Sequence, residues 1–176
     1  MTTMKDNSLP VQKTTQGIGR NSVQATRAIQ GIEALDFAEL KAKLMIPEPE
    51  GYGWSKEQTD GAEIWYKRFL MLRVLYPKHK NSPSVPVDKF WHAHILDTRR
   101  YAEDCQTIFG HFVHHFPYFG LRGDREELRA AFQETNMLYR QEFGTDANTA
   151  LLGAGHVADC SDPCSTDDGS DDSSDD

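Results

Sequence analysis

Apolar residues recur every three or four positions through most of the chain between Ser22 and Phe143. No stretch alternates apolar with polar residues long enough to read as a strand, so the pattern predicts helices. The longest stripe runs from Lys56 to about Tyr76: Ala62, Trp65, Phe69, Leu72 and Tyr76, widened by Ile64, Leu70 and Val74. So broad an apolar surface predicts a helix contacted on more than one side, with Ser55 as its cap and Trp65 as core packing. A second pattern, from Asp88 to Gly110, puts Trp91, Ile95, Thr98, Ala102, Cys105 and Ile108 or Phe109 on one face. It predicts one amphipathic helix, capped by Asp88, entered from extended chain at Pro86 and stopped at Gly110.

Shorter patterns complete the set. Val23, Ile29 and Ile32 suggest a weak helix from Ser22 to Gly31. Phe37, Leu40 and Leu44 form a face behind Asp36 and Glu39, which have capping-box spacing. Leu128, Phe132, Met137 or Leu138 and Phe143 give a last helix, capped by Asp124 and ended by Gly144. Breaks fall at Pro47–Gly53 and Pro77–Pro86, and His79 in the second break reads as a solvated loop residue. Four main helices then make a small all-α bundle over residues 22–144. Residues 1–21 read as a disordered polar segment, and 145–176 as a disordered Asp- and Ser-rich tail with a CxxxC pair.

Charge sharpens this division. The formal net charge is -8, but Asp159–Asp176 holds eight of the 27 acidic residues and none of the 19 basic ones. The rest of the chain therefore carries 19 of each sign, and the acidity belongs to the tail. With no basic stripe and an acidic tail, nucleic acid is not expected as a partner. No apolar run is long enough for a membrane span, and the first residues lack the apolar core of a signal peptide. Three cysteines do not make a disulfide framework, so we expect a cytoplasmic protein with reduced thiols.

The chemistry concentrates between Val87 and Gly120, which hold five of the seven histidines. His92 and His94 are two residues apart, so from an undistorted helix they cannot both chelate one ion; either the backbone is irregular there or the two do different jobs. Asp88 and His92, four apart, can pair, with the carboxylate orienting the imidazole. A metal site would have to recruit His111, His114 or His115 from the following segment, HFVHHFPYFG, which cannot be one regular helix through Pro117. The candidate ligands are thus His92, His94, His114 and His115, with Asp88 in support. They suit zinc, iron or copper without choosing among them. The bland alternative is that these histidines are core or rim residues with satisfied hydrogen bonds. Cys105 on an apolar face reads as a small buried hydrophobe. In the tail, His156, Cys160 and Cys164 form a weaker candidate metal clip, short of the four ligands a structural zinc site wants.

Val87, Asp88, Trp91, His92 and His94 spell V-D-x-x-W-H-x-H, followed by Leu96, Asp97, Thr98, Tyr101, Cys105, Gly110, His114, His115 and Pro117. In these residues the chain resembles the bacterial and plant family called glycine-rich domain-containing protein-like, over roughly half its length, from about Trp65 to about Phe143. The resemblance implies no activity. Many bacterial relatives in that family end in a Gly- and Cys-rich tail, whereas this tail is rich in Asp and Ser.

No nucleophile elbow, phosphate-binding loop, dinucleotide fingerprint or HExxH motif is present. Three functions follow as expectations. One is a helical domain with a His-rich pocket that is structural or binds a transition metal. Another is an interaction or precursor protein whose Cys-bearing tail is bound or modified by a partner enzyme. The least supported is a metal-dependent enzyme with an open coordination position.

Overall fold

The computed structural model describes residues 22–145. Among them are six helices and no strand: α1 (Val23–Glu33), α2 (Ala38–Met45), α3 (Lys56–Leu75), α4 (Val85–Leu96), α5 (Thr98–Phe109) and α6 (Arg125–Phe143). The all-α reading of the hydrophobic pattern is what the structure shows. The N-terminal segment and the tail with His156, Cys160 and Cys164 lie outside the described residues.

The organising element is α3, which packs against α1, α2, α4 and α6. Its 20 residues span about 30 Å at 1.5 Å per residue. Ser55 starts it with a reciprocal capping box: its hydroxyl accepts from the Gln58 amide while the Gln58 side chain accepts from the Ser55 amide. Two of the first turn's orphan donors are satisfied in this way. Ala62, Trp65, Tyr66, Phe69, Leu70, Leu72 and Val74 are all buried, a broad surface as the stripe predicted, but Ile64, expected to widen it, is exposed, and Tyr76 is only partly buried. Trp65 meets Tyr139 of α6 edge to face, so it is a core residue.

The stretch from Asp88 to Gly110 departs from the single helix expected. The chain turns at Asp97 (φ -80°, ψ 70°), which separates α4 from α5. The turn changes which residues are buried. Thr98 and Ala102, expected on the inner face, are exposed, while Val87, Phe90, Trp91 and His94 of α4 and Tyr101, Cys105 and Ile108 of α5 face inward. Its helical start is also earlier than expected. Ser84 occupies the cap position and Pro86 sits within the first turn, where a missing amide costs nothing. Asp88 is therefore one turn inside the helix, with its amide bonded to the Ser84 carbonyl and its side chain free for other work.

Two further expectations are corrected by hydrogen bonds. Asp124 does not cap α6 with its side chain; Oδ1 accepts from the Gly120 and Arg122 amides and ties the preceding loop. His79 is not merely solvated: its Nδ1 lies 2.8 Å from Glu134 Oε1 of α6. Beside it, the buried Ser82 amide donates to Thr135 Oγ1 at 3.0 Å. These contacts fasten the α3–α4 connection to α6 and shape one wall of a cleft.

Candidate metal centre

The turn at Asp97 folds α5 back on α4. Two pairs of residues ten apart, about 15 Å along a straight helix, thereby come into contact. The Trp91 indole donates to Tyr101 Oη at 2.9 Å, and His94 Nε2 lies 3.0 Å from Asp104 Oδ2. Tyr101 in turn donates to the Val113 carbonyl at 2.6 Å. Val113 is buried, so this bond anchors the segment after α5 against the core. Gly110, in the left-handed region (φ 72°), provides the reversal that begins it.

Anchoring Val113 places His115, two residues on, over the start of α4. His115 Nε2 lies 3.0 Å from Asp88 Oδ1, and His92 Nδ1 lies 3.4 Å from Asp88 Oδ2. The two imidazoles stand 4.4 Å apart between centroids, and His115 also meets Trp91 edge to face at 4.7 Å. One ligand atom from each of Asp88, His92 and His115 falls within 4.8 Å of the others. An ion with bonds of about 2.0–2.2 Å holds its ligand atoms roughly 3–4 Å apart. Side-chain adjustments of roughly 1 Å therefore close the set around a metal. All three residues are partly buried, so a bound ion keeps a side open to solvent.

His94 is absent from this cluster for a clear reason. It is 1% exposed, its Nδ1 is 2.9 Å from Tyr66 Oη, and its Nε2 faces Asp104. A carboxylate can only accept, so Nε2 carries a proton, and in the neutral ring Nδ1 accepts from the Tyr66 hydroxyl. Burial holds the Tyr66 phenol well above its ordinary pKa, which keeps that donor protonated. Burial also pushes the His94 pKa below its ordinary value, outweighing the opposing pull of Asp104. With both ring nitrogens committed, His94 has no lone pair for a metal. It belongs to the core, and its place in the expected ligand set is corrected on that ground. His114 is exposed and meets Phe112 at 4.9 Å with the rings tilted; it lines the same cleft as His115 but is not among the ligand atoms that converge. His111, also exposed, bonds the Phe109 carbonyl through Nδ1. Asp88, expected to act only in support of an imidazole, instead contributes its own oxygens to the cluster. Cys105 is buried and free, as its apolar face suggests.

His115 and Asp88 line a cleft of about 570 Å³ with Trp91, Phe116, Phe119 and Arg73. No residue of this cleft outside the histidine-rich stretch is singled out by a motif. Arg73 is one position after Leu72 of the apolar stripe, and nothing in its spacing marks it.

The fold and the cluster define an all-α protein with two imidazoles and one carboxylate gathered together, His115 and Asp88 of them lining a cleft. The chain matches the UCP032817-like family over residues 32–144, most of the described helices and all of the cluster, and it belongs to that family. That description names neither an activity nor a glycine-rich domain. No curated protein and no solved structure matches the chain. Among the described residues, no helix is long and apolar enough to cross a membrane.

Proposed function

We propose that this protein binds a transition metal through Asp88, His92 and His115. The convergence of these three side chains, with ligand atoms within 4.8 Å of one another, carries the reading. Two imidazoles and a carboxylate leave coordination positions open, the arrangement used by non-haem iron and by catalytic rather than structural zinc. Copper also accepts imidazole, so zinc, iron and copper are the ions to compare. Asp88 and His115 also line the cleft, which would give a bound ion access to a small ligand. The same residues carry the resemblance to the glycine-rich domain-containing protein-like family, and we read that likeness as a shared site. The buried free thiol of Cys105 suits a reducing compartment, in keeping with a cytoplasmic setting.

The direct test is titration of the chelator-treated full chain with Zn²⁺, Fe²⁺ and Cu²⁺ by calorimetry, beside Asp88→Ala, His92→Ala and His115→Ala. Removing a ligand should weaken the preferred ion at least as much as loss of an outer hydrogen-bond partner, about 10–100-fold. Equal affinity in all three variants and the wild type would place any metal elsewhere. His94→Ala and His114→Ala are expected to leave the affinity unchanged.

A further inference from the structure

Among the described residues, Arg73 is the one strong cation in the cleft left without an acidic partner. It projects from α3, partly buried, and lines the cleft with His115, Asp88 and Trp91. Its guanidinium lies 5.6 Å from the Trp91 ring and 5.9 Å from the Phe69 ring. Aromatic faces attract the charge but accept few of the five N–H bonds a guanidinium offers. Among the described residues no carboxylate is within ion-pair distance of Arg73, and no hydrogen bond joins it to an acceptor. Burial lowers its pKa from the ordinary value, the mark of a charge removed from water without compensation.

The other charges of the cleft are already paired. Lys80 bonds Glu127 at 3.2 Å, His79 faces Glu134, and Asp124 is occupied by two backbone amides. Asp88 is held between His92 and His115. The uncompensated cation stands over the same indole that His115 touches from its edge. Asn81, on the cleft wall, adds a buried Oδ1 with no donor.

We infer that the cleft is a binding site for a small ligand bearing an oxyanion, a carboxylate or a phosphate, held by the Arg73 guanidinium with its body against Phe116 and Phe119 of the loop. The planar fork matches two oxygens of either group, and the low-dielectric wall strengthens the pair. The proposal goes beyond the metal reading and stands on Arg73 alone, so the two fail separately.

The test uses the full chain after chelation, titrated with succinate and with inorganic phosphate. Saturable one-to-one binding is expected, weakened about tenfold or more in Arg73→Gln, as loss of a bidentate charged pair predicts, and unchanged in Lys80→Gln. The tighter of the two probes tells carboxylate from phosphate. A second readout needs no variant: phenylglyoxal modification of Arg73, followed by peptide mass spectrometry, should be slowed by the binding anion while exposed arginines react as before. If Arg73→Gln fails to fold, this protection decides. No saturable binding of either anion, equal binding in a folded Arg73→Gln, or no protection of Arg73 would overturn the proposal.

Discussion

His94 has both ring nitrogens committed inside the core, while His92, two residues earlier, stands at the rim beside Asp88. Helical spacing already separates the two rings. Which of them meets a carboxylate with a free lone pair is decided by contacts that no local pattern encodes. The Asp88–His92 pair was legible because four residues on a helix bring side chains together. The arrival of His115 was not, since it depends on the Tyr101–Val113 hydrogen bond across a reversed segment. Asp104, among charged neighbours in the sequence, reads as part of a solvated face and instead orients a buried imidazole. The buried position of His94 predicts a cost: His94→Ala leaves the Tyr66 hydroxyl unpartnered beside a cavity and takes from the Asp104 carboxylate its 3.0 Å partner. It should lose about 3 kcal/mol in denaturant unfolding, with metal content unaltered. A pH effect follows from the same group. The folded pKa lies below the unfolded one, so the unfolded chain binds the extra proton. The contribution of His94 is complete above the unfolded value, about 6.5, and is lost as pH falls through it toward the folded value. Thermal midpoints should therefore drop more on acidification in the wild type than in His94→Gln, which keeps polar contacts but does not titrate. Parallel curves would remove His94 from the account. Asp104, Arg100 and Asp97 are the charged groups that act on the ring.

At the scale of elements, α3 followed its hydrophobic stripe except at Ile64, which is exposed, because a wide apolar surface can be buried only at the centre of a bundle. The Asp88–Gly110 region did not follow its stripe, because the three-and-four periodicity runs unbroken through a turn containing neither Gly nor Pro. The local signal there is Asp97 itself, a residue type favoured at helix starts, although its side chain makes no capping bond. That turn positions the site, since it lets α5 fold onto α4 and deliver Tyr101 to Val113. Helix ends offer clean tests. Ser55→Ala removes one half of the α3 capping box and should cost about 1 kcal/mol without changing the metal site. A methyl group added at Gly110 would meet only open space, but the backbone there is left-handed. Gly110→Ala should therefore also cost about 1 kcal/mol, from conformation alone. Because Gly110 begins the segment that carries His115, its substitution should weaken metal binding as well, which Ser55→Ala should not. Equal metal affinity in both variants would show that the loop reaches α4 without that reversal.

For the whole molecule, polar contacts between the α3–α4 connection and α6, and between the α5–α6 loop and α4, frame one cleft. Asp88 and His115 of the cluster line it together with Arg73, which among the described residues has no ion-pair partner, so the molecule gathers a metal-capable cluster and an anion-capable group in one place. Overall charge gave no hint of this, because the charges outside the tail balance and their arrangement is set by the fold. The tail's His156, Cys160 and Cys164 form a separate candidate, which truncation separates from the cleft. The most direct measurement is elemental analysis by mass spectrometry of untagged, natively expressed full chain beside His115→Ala and a chain truncated after Thr145. One transition metal per chain is expected in the wild type and in the truncated form, and none in His115→Ala. A metal lost on truncation but kept in His115→Ala, or no metal in any of the three, would contradict a metal site at Asp88, His92 and His115.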